Sequence, residues 1–255
     1  MTTNRAEGSL FTKIEKSIAT IEFGHPASNS FPSVLLDRLT KELQRISTID
    51  AVNVIILKSE GEKAFCAGAS FDELVAIDNL EDGKKFFSGF ANVINAMRTC
   101  SKLIIGSVQG KVVGGGVGLA SACDYVLATE AASIKLSELT IGIGPFVIAP
   151  AVERKIGLAG LSELTLAATE WKTAYWAKEK GLFAKVFATQ EELLKETQNL
   201  AEKLASYNSE ATANMKKNFW QGTENWNSLL IERAEITGKL VLSEFTKNAL
   251  SKFKK

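Results

Sequence analysis

The chain has one histidine, His25, and that scarcity removes whole classes of chemistry. A nucleophile-His-acid triad and a multi-histidine metal site both need imidazoles placed where this sequence has none. His25 itself lies in a Gly-His-Pro turn and reads as a solvated loop residue. Cysteine is also sparse. Cys66, Cys100 and Cys123 are odd in number and spaced unlike CxxC pairs, and no basic-then-apolar leader opens the chain, so a reducing cytoplasm is expected. Gly, Ser, Gln or a charged residue interrupts every long apolar run, and no membrane span is expected. An excess of one charge is missing too. With 30 basic against 29 acidic side chains there is no field to gather a polyanion, and nucleic acid is not an expected partner.

What is present is apolar material in quantity. At 255 residues and 45% hydrophobic, the sequence can bury one large core with a helical tail beginning near residue 195. Residues 10–23 mix β-branched and aromatic side chains around Glu15 and Lys16, which predicts two short strands joined by a turn. Leu35, Leu39, Leu43 and Ile46 recur at helical spacing, with Pro32 suited to the first turn. VNVIILKS at 52–59 and LIIGSVQG at 103–110 are continuous apolar runs of strand length, as expected of strands covered on both faces. Between them, Phe86, Phe87, Phe90, Val93, Ile94 and Met97 form one face of a helix over about 81–99. Strand, crossover helix, strand is the pattern of an α/β fold. DYVLATE at 124–130 and SIKLS at 133–137 predict further short strands, and from 148 onward the chain reads as mostly helical.

Both buried strands have the same sequel. Each runs into a loop of small residues, FCAGAS at 65–70 and VVGGGVG at 112–118, and each loop opens a helix. A helix start leaves backbone N–H groups unpaired at the positive end of the macrodipole, and small residues let a ligand approach them. Two such loops side by side can aim two donors at one oxygen. The alternative is that Gly114 to Gly118 simply permit tight packing of helix on sheet. Neither loop matches a P-loop or a dinucleotide fingerprint.

In order and spacing these segments resemble the crotonase family, the enoyl-CoA hydratase and isomerase superfamily. VNVIILKSEGEKAFCAGASF is similar to its first oxyanion loop and GKVVGGGVGLASACDYVLATE to its second. IKLSELTIGIGP resembles the stretch bearing a catalytic glutamate, and AYWAKEKGLFAKVF resembles a later A-x-E-x-GL pattern. The resemblance implies a ββα spiral core over 1–195 with the acyl-CoA site, and a helical region over 196–255 that builds a homotrimer or homohexamer. CoA would be part of the substrate, with no separate cofactor and no metal. The thioester oxygen would be held by the N–H groups of Ala69 and Gly115, and Glu138 would move a proton at the α-carbon. Ala67, Ser70, Phe71, Asp72, Gly114 and Gly118 would line the acyl-CoA path. Two positions depart from the family. Ser70 stands where many relatives carry Asp, and Gly118 stands where the first of two glutamates is expected. A vacant position 118 is expected to enlarge the acyl end of the pocket and so to suit a branched or carboxylated acyl group.

Chemistry follows from these residues. Moving a proton next to a thioester carbonyl places charge on its oxygen, and donors fixed in advance stabilise that charge. The proton carrier needs a pKa brought toward neutrality, and Glu138 in LSELTIGIG is set for that by its apolar neighbours. Three readings stay open: a hydratase in which Glu138 does both proton transfers, a 3,2-enoyl-CoA isomerase that needs only one carrier, and a non-catalytic acyl-CoA binder. Similarity of GGGVGL, LSE and GPFVIAP to the single-glutamate, methylglutaconyl-CoA-hydratase-like branch favours hydration. Cys66, next to the first loop, reads as a packing thiol because no basic activator accompanies it. Asp124 reads as structural. Lys216, Lys217 and the terminal KFKK read as solvated cations, and Trp220 and Trp226 as subunit-packing residues.

Overall fold

A computed structural model describes residues 7–252, so the last three residues of KFKK lie outside it. The first hairpin is β1 (Ser9–Glu15) and β2 (Ile18–Gly24), antiparallel, turned by Lys16 and Ser17 with φ of 48° and 63°. Helix α1 (Ser33–Ser47) follows, with Pro32 as its N-cap, and then β3 (Val54–Ser59). From here the chain repeats one path. A long strand is followed by a short one in a second sheet and then by helix: β3, β4 (Ala64–Cys66), α2 (Phe71–Ala76) and α3 (Leu80–Thr99). Next come β5 (Leu103–Val108), β6 (Lys111–Val113) and α4 (Gly115–Ala122). The third turn is β7 (Tyr125–Thr129), β8 (Ser133–Lys135), a 3-10 turn at Glu138–Ile141 and α5 (Ala149–Leu166).

The larger sheet has the order β1-β2-β3-β5-β7-β10, parallel from β2 onward, where β10 is Lys185–Phe187. The smaller sheet runs β4-β6-β8-β9, with β9 at Lys172–Thr173. Two sheets visited alternately, with a helix closing each circuit, make the expected ββα spiral.

The apolar run of β3 shows why no alternation is visible in its sequence. Ile55 and Leu57 join the main core with Leu39 of α1 and Val93 and Met97 of α3, whereas Val54 and Ile56 face Leu193 and Ala201 of α7 (Gln190–Ala205). Each face of the sheet is covered by helix, so successive residues are apolar for different reasons.

After α6 (Ala174–Glu179) and α7 come α8 (Ser209–Phe219), α9 (Trp226–Val241) and α10 (Glu244–Ser251). There is no break at 195, because α7 runs through it. Leu230 and Ala234 of α9 belong to the main core, and α9 crosses α3 so closely that a methyl group on Gly83 would stand 3.0 Å from Gly238 Cα. Trp220 and Trp226 pack edge-on at 5.8 Å and are nearly fully buried inside the chain. The reading of these two as residues for a neighbouring subunit is therefore corrected: their indoles are consumed by the chain's own core.

Lys216 is corrected as well. It is 1% exposed, its ammonium lying 3.0 Å from the Asp124 carboxylate and donating to Lys102 O at 2.7 Å. Asp124 also accepts from Ile104 N–H and Trp220 Nε1–H, and so ties α8 to the end of α4 and the start of β5 and β7. Lys217 stays exposed. Among the described residues no helix is long and apolar enough to cross a membrane.

Candidate active site

The two small-residue loops meet. Gly68 has φ +90°, and a methyl group there would stand 3.1 Å from Val113 O and 3.5 Å from Gly115 N. Glycine at 68 thus lets the first loop lie directly against the second.

The first loop is held from behind by residue 31. Phe31 N–H donates to Gly68 O at 2.8 Å, and Ser70 N–H donates to Phe31 O at 2.9 Å, as in a parallel bridge. Backbone groups alternate in direction along an extended chain, so the Ala69 N–H between them points the opposite way, toward the cavity that Ala69 lines. The second loop turns at Gly114, φ +55°, and α4 begins at Gly115, whose N–H is one of the unpaired donors of a helix start. Neither of these two N–H groups donates to another described residue.

Glu138 completes the arrangement. It opens the 3-10 turn directly after β8, and that turn is fixed by Ile143 N–H donating to Glu138 O at 3.2 Å. Gly142 ends the turn at φ +83°, and a methyl group there would stand 2.6 Å from Thr246 Oγ1, so α10 sits on the turn. A methyl group on Gly114 would stand 3.2 Å from Glu138 Oε1, which places the carboxyl beside the second loop. The residue keeps some solvent contact, but Oε2 is enclosed and has no hydrogen-bond partner among the described residues. Burial pushes this carboxyl up from 4.5 to about 7, against the N–H groups of Glu138 and Ser137 that favour its charged form.

All three groups open onto one cavity of 170 Å³. Its wall includes Ala67, Gly68, Ala69, Phe71, Gly114, Gly115 and Glu138, and Glu138 is the one titratable side chain among the described residues that line it. The rest is mostly apolar, chiefly Phe86, Phe87 and Phe90 of α3 with Ile141, Ile143, Val147 and Ile148, and Ser137 and Thr237 are its polar members. Such a space can take up a short apolar chain, direct two N–H donors at an oxygen, and hold one proton carrier poised near neutrality.

Other expected wall residues lie elsewhere. Ser70 is the N-cap of α2 and accepts from Glu73 N–H, which a Ser or an Asp can do alike. Asp72 is exposed. Gly118 is fully covered and does not reach the cavity, because Ile148 stands in front of it: a methyl group at 118 would lie 2.7 Å from Ile148 Cβ. The expected enlargement at 118 is therefore corrected; an isoleucine from the start of α5 fills that volume.

The glycine cluster serves both purposes that its sequence allowed. Gly116 is there for packing, since a methyl group would stand 2.7 Å from Cys66 Cβ, while Gly114 and Gly115 face the cavity. The Cys66 thiol is buried and pushed up to about 12 by desolvation, which suits a packing role. Among the described residues no three His, Cys, Asp or Glu gather to hold a metal.

Residues 13–252 match the enoyl-CoA hydratase/isomerase family. The chain belongs to that family. A "Probable enoyl-CoA hydratase" of Rhizobium meliloti (strain 1021) is 32% identical over 213 residues, 82% of this chain and 80% of that protein. The mitochondrial enoyl-CoA hydratase of Pongo abelii is 31% identical over 234 residues, 91% of this chain and 78% of the other. In three dimensions, the crystal structure of enoyl-CoA hydratase from Bacillus halodurans matches with a TM-score of 0.87 at 20% identity, covering 95% of this chain and 99% of that one. Membership in the enoyl-CoA hydratase/isomerase family makes the chain an enzyme of enoyl-CoA hydratase/isomerase type, acting on acyl-CoA thioesters.

Most of the apolar wall was not assigned from sequence, and two of its residues come from unexpected places. Thr237 comes from α9, in the region set apart as a helical tail, and Ile148 from the N-cap of α5. The only signal for Ile148 was its place in GPFVIAP, and Thr237 carried none.

Proposed function

We propose that this enzyme hydrates a short 2-enoyl-CoA in the cytoplasm, with Glu138 as its one proton carrier and the N–H groups of Ala69 and Gly115 as its oxyanion donors. The observation that carries this is the convergence of those two donors and the partnerless Glu138 Oε2 on one apolar cavity. The Glu138 carboxylate takes a proton from water as the water oxygen bonds to the β-carbon. The electron pair of the double bond moves through the α-carbon to the thioester oxygen, where the two N–H groups stabilise it. Protonated Glu138 then returns the proton to the α-carbon, and atoms and charge balance.

The fact that Glu138 is the one titratable group among the described wall residues favours a second reading equally open to test. A 3,2-enoyl-CoA isomerase needs a base that removes a proton at C2 and returns it at C4 through the same stabilised enolate. The absence of a cation among the described wall residues argues for an uncharged acyl chain rather than a carboxylated one. A homotrimer or homohexamer, as the family resemblance implies, belongs to the same proposal, and light scattering on the purified chain reads it.

The deciding experiment assays purified protein with 2-enoyl, 3-enoyl and methylglutaconyl CoA thioesters. Hydration of the 2-enoyl substrates supports the first reading, and conversion of the 3-enoyl without net water uptake supports the second. Binding of all three with no turnover, unchanged in Glu138→Gln, rejects both.

A further inference from the structure

Position 118 and position 148 compete for one volume. Gly118 lies in the middle of α4 and Ile148 at the N-cap of α5, thirty residues apart in sequence, yet a methyl group at 118 would stand 2.7 Å from Ile148 Cβ, with Ile94 Cδ1 next at 3.6 Å. The obstruction is the Ile148 Cγ2 methyl together with the β-carbon that bears it, not the far end of a flexible chain, so it cannot swing aside cheaply. The backbone beneath it is tied down: Val152 N–H donates to Ile148 O at 3.0 Å and Ala149 N–H to Pro145 O at 2.9 Å. Ile148 is 4% exposed and lines the cavity, while Gly118 does not. The wall at this point is consequently the isoleucine side chain and nothing from α4.

We propose that Ile148 is the specificity-determining residue at the acyl end of the cavity, and that it also forbids any side chain at 118 from reaching the reacting atoms. This rests on the acyl-CoA reading of the cavity given above. A site walled by Ile148 selects a short, unbranched acyl chain. Trimming residue 148 opens the cavity toward α4, and only then does a carboxylate introduced at 118 have a path to the substrate.

The test uses the full chain with Ile148→Val, Ile148→Ala, Ile148→Gly, Gly118→Ala, Gly118→Glu and the two double variants with Ile148→Gly. Binding of saturated acyl-CoA thioesters from four to ten carbons is measured by calorimetry, and kcat/KM on the matching 2-enoyl series by absorbance. Ile148→Ala is expected to raise the preference for eight carbons over four by at least tenfold, with Ile148→Val between it and wild type. Gly118→Ala is expected to lower Tm in the wild-type background and to leave it nearly unchanged beside Ile148→Gly, which removes the β-carbon that alanine would keep. Gly118→Glu alone is expected to lose activity, and Gly118→Glu with Ile148→Gly to recover it. An acyl-chain ordering that Ile148→Ala leaves as in wild type overturns the specificity role. Equal Tm losses for Gly118→Ala in both backgrounds overturn the steric pairing. A wild-type chain that binds none of the thioesters removes the acyl-CoA reading itself, and the specificity role falls with it.

Discussion

The Lys216 ammonium and the Asp124 carboxylate stand 3.0 Å apart with both side chains almost wholly withdrawn from solvent. Such a pair contributes little over an apolar substitute, but breaking it strands a buried charge. Lys216→Met leaves Asp124 with its two N–H donors and no cation at 3.0 Å, and is expected to destabilise the chain by about 3 to 5 kcal/mol. Asp124→Asn combined with Lys216→Met should lose clearly less than the sum of the two single variants. Urea unfolding of all four proteins measures the coupling, and additive losses would refute it.

Glu138→Gln retains shape and removes the proton. If Glu138 carries the chemistry, kcat should fall by roughly 10²- to 10⁴-fold while saturated acyl-CoA binding stays within a few fold. Parallel kinetics and calorimetry separate the two, and retained kcat would displace Glu138 from the mechanism.

Activity should also follow the Glu138 proton. Both proposed reactions begin from the carboxylate, and burial raises this group to about 7, so kcat/KM is expected to be level above that pH and to fall tenfold per unit below it. A rate profile between pH 5 and 9 reads the midpoint. A midpoint near 4.5 would show that desolvation does not act on the residue in solution.

Stability carries the opposite sign to that activity profile. The folded pKa is about 7 and the ordinary value 4.5, so between them the folded state holds the proton that the unfolded state has released. Stability contributed by this group therefore declines as pH rises through that window and is flat above it, a loss on the order of 3 kcal/mol. Glu138→Gln should abolish the decline, and unfolding free energies for both proteins at pH 5 and pH 8 measure it.

Gly115 tests the second loop. A methyl group there would overlap the Phe90 ring, so either the ring or the start of α4 must move. Gly115→Ala is expected to lose about 1 to 3 kcal/mol of stability and much of kcat, since the donor N–H shifts with the helix start. Adding Phe90→Leu should restore part of the Tm, whereas a double variant as unstable as the single would point to another obstruction.

The readable parts of this fold are those with a repeating period or a run of strand length. Helices α1 and α3 announce themselves by leucines and phenylalanines on one face, and β3 and β5 by unbroken apolar stretches. The smaller sheet was far less visible, because strands of two or three residues such as β4, β6 and β9 are too short to show any alternation. At the site, Ala69, Gly115 and Glu138 were placed by loop chemistry and family resemblance, and the structure brings them to one cavity. Gly118 was misjudged for a physical reason: the volume beside a glycine belongs to whatever side chain arrives from elsewhere, and here that is Ile148. Lys216 failed similarly. One turn from Trp220 on α8, it shares the inward face with that indole, while Lys217 beside it points to water.

The crossing of Gly83 over Gly238 leaves no slack between two helices that are far apart along the chain. Thr237, next to that contact, forms part of the cavity wall. The reaction chamber is accordingly unfinished until the last quarter of the polypeptide has docked, so a nascent chain released before α9 would hold both oxyanion loops and the proton carrier yet leave them open to water.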